Sequence, residues 1–113
     1  MSKNYPEVTA DIVEYVKQLR GIIPDTLKGF YSMSGAASKD GVLDKKTKEL
    51  IALAIGVATR CDGCIGFHTK ALHELGATRE EVAEVLGMAI YMGGGPSLMY
   101  AADALRAFDQ FTS

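Results

Sequence analysis

The run Asp44–Gly76, DKKTKELIALAIGVATRCDGCIGFHTKALHELG, decides the fold class. It reads as two helices joined by a short turn. Asp44 suits an N-cap, because a short carboxylate accepts from the free N–H groups of a first helical turn. The helix KKTKELIALAIGVATR follows. Beyond Glu49 it is apolar on nearly every side, through Leu50, Ile51, Leu53, Ile55 and Val57. A helix of that kind is buried, by its own fold or by a second subunit. The next helix begins around Cys61 and Cys64 and runs to Leu75. Gly76 then suits a left-handed C-terminal cap.

Toward the N-terminus the period stays helical. Thr9 is placed to cap a first helix carrying Ile12, Val13, Val16 and Leu19, with Gly21 near its end. Pro24 fits the first position of a second helix, with Leu27, Phe30 and Tyr31 on one face. The polar stretch from Ser34 to Gly41 interrupts the periodicity.

Toward the C-terminus, Thr78 and Glu81 form a capping-box pattern. The helix they open buries Val82, Val85, Leu86, Ala89 and Ile90. Gly93, Gly94 and Gly95 break it. That glycine run lacks the spacing and lysine of a phosphate-binding loop, so helix breaking is its reading. Pro96 opens a last helix with Leu98, Ala101, Ala102, Leu105 and Phe108 inward. No run alternates as a strand would. The expectation is an all-α, single-domain bundle of about six helices over residues 1–113.

Composition narrows the function. The chain is 48% hydrophobic and 23% charged, with net charge −2 and pI about 5.6. It has no general pull on phosphate backbones, which argues against nucleic acid as a partner. No stretch of about 18 apolar residues is present to span a membrane. The N-terminus has neither the apolar core nor the cleavage site of a signal peptide, so the chain reads as cytoplasmic. In that reducing compartment a two-cysteine pair is a poor staple. Two residues apart, the cysteines close too small a loop to constrain an unfolded chain. Chemistry is the better reading.

Cys61 and Cys64 are three positions apart at the start of a helix, which brings their sulfurs to one side of the first turn. Helix N-termini carry partial positive charge and free N–H donors, and both favour a thiolate. The thiolate is the nucleophile. His68 follows Cys64 by one turn on the same face, and an imidazole exchanges protons near neutral pH. Glu49, on the preceding helix, reaches this site only through tertiary folding; there it would orient His68 or relay a proton. Other readings stay open. The cysteines could be small buried hydrophobes, or with His68 three ligands of a metal. The polar Asp62–Gly63 insert argues against simple burial. The lack of a second cysteine pair or a paired histidine argues against a closed zinc site. Glu49 alone also reads as a solvated first-turn charge. His73 falls off the face of His68 and reads as surface.

Glu49, eleven residues, Cys61, two residues, Cys64, three residues and His68 together resemble the signature of the alkylhydroperoxidase D-like family, grouped with the carboxymuconolactone decarboxylases. The resemblance runs from about Leu43 to Ala107 and includes LGMAIYMGGGPSLMYAADAL. It implies an all-α fold and an obligate homo-oligomer, often a trimer or hexamer. It further implies reduction of small hydroperoxides through the dithiol, with Cys64 attacking, Cys61 resolving, an external dithiol as reductant and no cofactor. Some peroxidase members carry a second histidine where Gly63 stands here. That departure bears on the completeness of the proton relay. Two rival functions are a carboxymuconolactone decarboxylase-like enzyme and a non-catalytic redox-sensing oligomer. Oligomerisation has its own support, since six short helices offer little material to cover an all-apolar third helix.

Overall fold

The computed structural model describes residues 3–112. They form six helices: α1 (Tyr5–Ile22), α2 (Pro24–Ser38), α3 (Lys45–Ala58), α4 (Asp62–Glu74), α5 (Arg79–Gly93) and α6 (Gly95–Thr112), with no strand among the described residues. The all-α expectation holds.

The caps show why the helices start where they do. Asp44 Oδ1 accepts from the Thr47 N–H at 2.7 Å. Thr78 and Glu81 close a reciprocal capping box, at 3.1 and 2.8 Å. The first helix differs from the sequence reading. Asn4, not Thr9, is its cap, accepting from the Glu7 N–H at 2.9 Å. Pro6 explains the shift, because a residue with fixed φ and no N–H belongs in a first turn. Thr9 is instead buried inside α1, where its hydroxyl donates to the carbonyls of Tyr5 and Pro6. The interruption expected from Ser34 also moves, since α2 runs on to Ser38. Ser and Gly weaken a helix by only about 1 kcal/mol or less each, and no proline lies there to stop it.

The core lies between α3, α4, α5 and α6. Leu53 and Val57, Ile65 and Leu72, Val82 and Leu86, and Phe108 fill it. The α6 stripe is Ser97, Ala101, Ala104 and Ala107 rather than Leu98 and Ala102, which are exposed. Small residues there let α6 lie close on α4 and α5. The first half of α1 packs on α4 through Tyr5, which is fully buried. Its second half and all of α2 stand away from the core. α2 has no buried residue, and the expected inward residues Val13, Leu19, Phe30 and Tyr31 are exposed. The third helix is likewise covered on one side only. Leu53, Gly56 and Val57 face in, whereas Ile51 and Ile55 are 44% and 58% exposed.

Candidate functional site

Two helix ends build the site. α3 terminates in a double-hydrogen-bonded turn: the Arg60 N–H donates to the Val57 carbonyl at 3.1 Å and the Cys61 N–H to the Gly56 carbonyl at 2.9 Å. This closure needs a left-handed residue at its centre, usually glycine. Here Arg60 takes it, with φ 58°. The same motif closes α4, with Gly76 at φ 78° in the equivalent place.

The turn delivers Cys61 directly to the N-cap of α4. Its Sγ accepts from the Cys64 N–H at 3.1 Å, so a cysteine sulfur occupies the position usually held by a serine or aspartate oxygen. Cys61 and Cys64 are joined as a disulfide, with Cα atoms 5.2 Å apart. Both are half-buried. The helix-end donors therefore act on the pair directly.

Packing around the pair is close because glycine permits it. A Cβ on Gly56 would lie 2.9 Å from Cys64 Cβ, and one on Gly63 would lie 2.8 Å from Ile12 Cδ1. The space beside Gly63 is taken here by the side-chain end of Ile12 of α1.

His68 lies one turn beyond Cys64, as its spacing predicts. Its Nδ1 is 2.5 Å from Glu49 Oε2. The antiparallel hairpin of α3 and α4 brings these residues together across nineteen positions. Glu49 is 8% exposed, so the reading of a solvated first-turn charge is replaced by a buried, paired carboxylate. An ionised carboxylate only accepts, so His68 donates from Nδ1 and keeps Nε2 as its basic nitrogen. All four residues singled out by the sequence thus converge. His73 is exposed, as expected, with its ring edge-on to Phe108 at 6.2 Å between centroids. No cluster of three or more metal-binding side chains occurs among the described residues.

A cavity of about 610 Å³ opens over the disulfide. Cys61, Gly63, Cys64, Phe67 and His68 form its floor, and Ile12, Phe30, Tyr31 and Ser34 form its wall. The wall was not legible as site residues, since Phe30 and Tyr31 read as a core face. Tyr91 is 78% exposed and does not line the cavity.

The model of the carboxymuconolactone decarboxylase family matches residues 24–107. A solved structure of a carboxymuconolactone decarboxylase family protein from Legionella pneumophila superposes with TM-score 0.96 and 56% identity, covering 99% of this chain and 100% of that one. An uncharacterised protein of Cupriavidus necator is 48% identical over 86 residues, 76% of each chain. Alkyl hydroperoxide reductase AhpD of Mycobacteroides abscessus is 36% identical over 63 residues, which make up 56% of this chain and 36% of that relative. With the family model spanning most of its length and this helical frame around a paired dithiol, the chain belongs to the carboxymuconolactone decarboxylase family.

Proposed function

We propose that the protein is a thiol-dependent peroxidase that reduces small hydroperoxides through Cys61 and Cys64. The observation that carries this reading is the Glu49–His68 hydrogen bond one turn from a closed Cys61–Cys64 pair. It supplies a proton carrier, a nucleophile and a resolving thiol in one place. In the reduced protein, His68 holds the proton of Cys64, leaving a thiolate at the helix end. The thiolate attacks the terminal oxygen of the hydroperoxide, and the O–O bond breaks. The leaving alkoxide or hydroxide takes the proton from His68, and Cys64 becomes a sulfenic acid. The Cys61 thiol displaces water from it and the disulfide forms. An external dithiol reduces that disulfide through a mixed disulfide and is itself oxidised. Glu49 keeps the ring oriented. Apolar Ile12, Phe30 and Phe67 around the cavity favour an organic substituent on the peroxide.

The test is stopped-flow mixing of the reduced protein with hydrogen peroxide and with cumene hydroperoxide, followed by mass spectrometry of the Cys61–Cys64 peptide. Rates far above a free thiol, with one internal disulfide per peroxide, are expected. A free-thiol rate with no disulfide would overturn the reading. A muconolactone decarboxylase would not need the sulfurs, and a Cys61→Ser, Cys64→Ser variant separates the two.

The working form in this reading is a cytoplasmic homo-oligomer. A compact 12.1 kDa monomer exposes about 6,000 Å², whereas this chain exposes 7149 Å². The excess is on the scale of one partner's share of a stable interface, about 800 Å². The unburied residues Ile22, Met33, Ile51 and Ile55 of α1, α2 and α3 supply the apolar surface for a second copy. No described helix is long and apolar enough to cross a membrane.

A further inference from the structure

Between the two cysteines stands an ionisable residue that the mechanism does not use. Asp62 opens α4, and its Oδ1 accepts from Lys3 Nζ at 2.9 Å and from the Tyr5 hydroxyl at 2.9 Å. Those donors are themselves held in place. Lys3 Nζ also donates to Asp103 Oδ2 at 3.0 Å, and Gln110 Nε2 donates to the Lys3 carbonyl at 2.7 Å. The Tyr5 N–H donates to Gln110 Oε1 at 2.8 Å, and the Tyr5 side chain is fully buried. α6 therefore clasps the start of the chain, and that segment reaches across to the cysteine turn. The contact spans 59 positions for Lys3 and 57 for Tyr5.

A carboxylate flanked by both cysteines is electrostatically awkward. It suits a helix N-terminus, but a like charge beside a thiolate opposes its ionisation. We propose that Lys3 and Tyr5 are positioning residues for the dithiol, which bind the Asp62 carboxylate, Lys3 sharing its charge between Asp62 and Asp103, and so weaken the opposition of Asp62 to a thiolate at the helix end. The charged and titratable groups described around the pair include Arg60 in the turn before Cys61, Glu49 from α3, Asp62 and His68 from α4, Tyr31 from α2 and Asp103 from α6, which shares Lys3 with Asp62, with Lys3 and Tyr5 acting through Asp62 from the α1 side. Lys3 is the cation among them that contacts Asp62. Burial alone would raise the Asp62 carboxyl, but the Lys3 and Tyr5 hydrogen bonds outweigh it and hold the carboxyl low. The pair thus remains a charged contact throughout the range in which a thiol ionises. This inference rests on the dithiol reading above, but its readout is independent of peroxide turnover.

The test measures the ionisation of the more acidic thiol in the reduced protein, from the pH profile of iodoacetamide alkylation. Lys3→Met is suitable because Lys3 is surface-exposed. It should raise the thiol pKa by about half a unit, a modest shift because the pair is partly solvated. The shift should shrink in high salt. Tyr5→Phe should move it in the same direction. In an Asp62→Asn background, Lys3→Met should have no effect on the thiol. An unchanged pKa in Lys3→Met would overturn the proposal, as would an equal shift with and without Asp62. A shift that needs Asp62, in a protein that turns over no peroxide, would uphold this inference and sink the peroxidase reading instead.

Discussion

At the scale of single residues, the proposed peroxidase reaction depends on the imidazole of His68. Its Nδ1 is committed to Glu49, so in that reaction the proton delivered to the leaving oxygen comes from Nε2. His68→Ala removes that proton carrier. The second-order rate with cumene hydroperoxide near neutral pH should fall by about 10²-fold, read by stopped flow. An unchanged rate would show that the helix end alone activates the sulfur. Gly56 makes a second residue-scale prediction. Its missing side chain is what lets α3 lie against Cys64, since a Cβ there would fall 2.9 Å from Cys64 Cβ. Gly56→Ala should destabilise the fold by about 1–3 kcal/mol in urea unfolding. Full stability in that variant would mean that α3 and α4 separate more easily than the packing implies.

At the scale of elements, the turn between α3 and α4 sets the geometry of the dithiol, and it does so against a local preference. A non-glycine residue in the left-handed region is strained by about 1–2 kcal/mol, and Arg60 sits there at φ 58°. Gly76 occupies the same position after α4 without that penalty. Arg60→Gly should therefore raise stability by about 1 kcal/mol, observable as a higher urea midpoint with unchanged slope. A loss of stability would mean that the Arg60 side chain contributes more than its backbone loses. The capping box at Thr78 and the N-caps at Asn4 and Asp44 fix the other starts by ordinary local chemistry.

At the scale of the whole molecule, two properties follow from surface and charge. Unburied apolar side chains on α1, α2 and α3 predict self-association. Sedimentation at micromolar concentration should show an oligomer in the native protein and a shift toward monomer in an Ile55→Asp, Met33→Asp variant. A monomeric native protein would contradict the proposed interface. Acid should also weaken the fold. Glu81 is held below the usual carboxylate range first by Lys46, Asp109 by Arg79, and Asp62 by Lys3 and Tyr5 against burial. A depressed folded value means that the folded state binds fewer protons than the unfolded chain. The stability contributed is full at neutral pH. It declines as pH falls into the ordinary carboxylate range, about 4, and is lost below the folded values. Melting temperatures measured from pH 7 to pH 3 should fall, and less steeply in Asp62→Asn.

Helix count, most helix boundaries, and the placement of Cys61, Cys64 and His68 on one helical face were determined by the sequence itself. Each depends on neighbours within one turn: a cap and its acceptor, a cysteine and a residue three or four positions on. The misread cap at Thr9 had a nearby signal of the same kind in Asn4, Pro6 and Glu7. Only the tertiary structure decided the rest. It paired Glu49 with His68, set Lys3 and Tyr5 on Asp62, and turned Phe30 and Tyr31 from an expected core face into the wall of a cavity. Those contacts join different helices, and whether they form is set by how close the helices approach and at what angle. That in turn depends on small residues such as Gly56, Gly63 and the alanines of α6, whose effect appears only once a second helix lies against them.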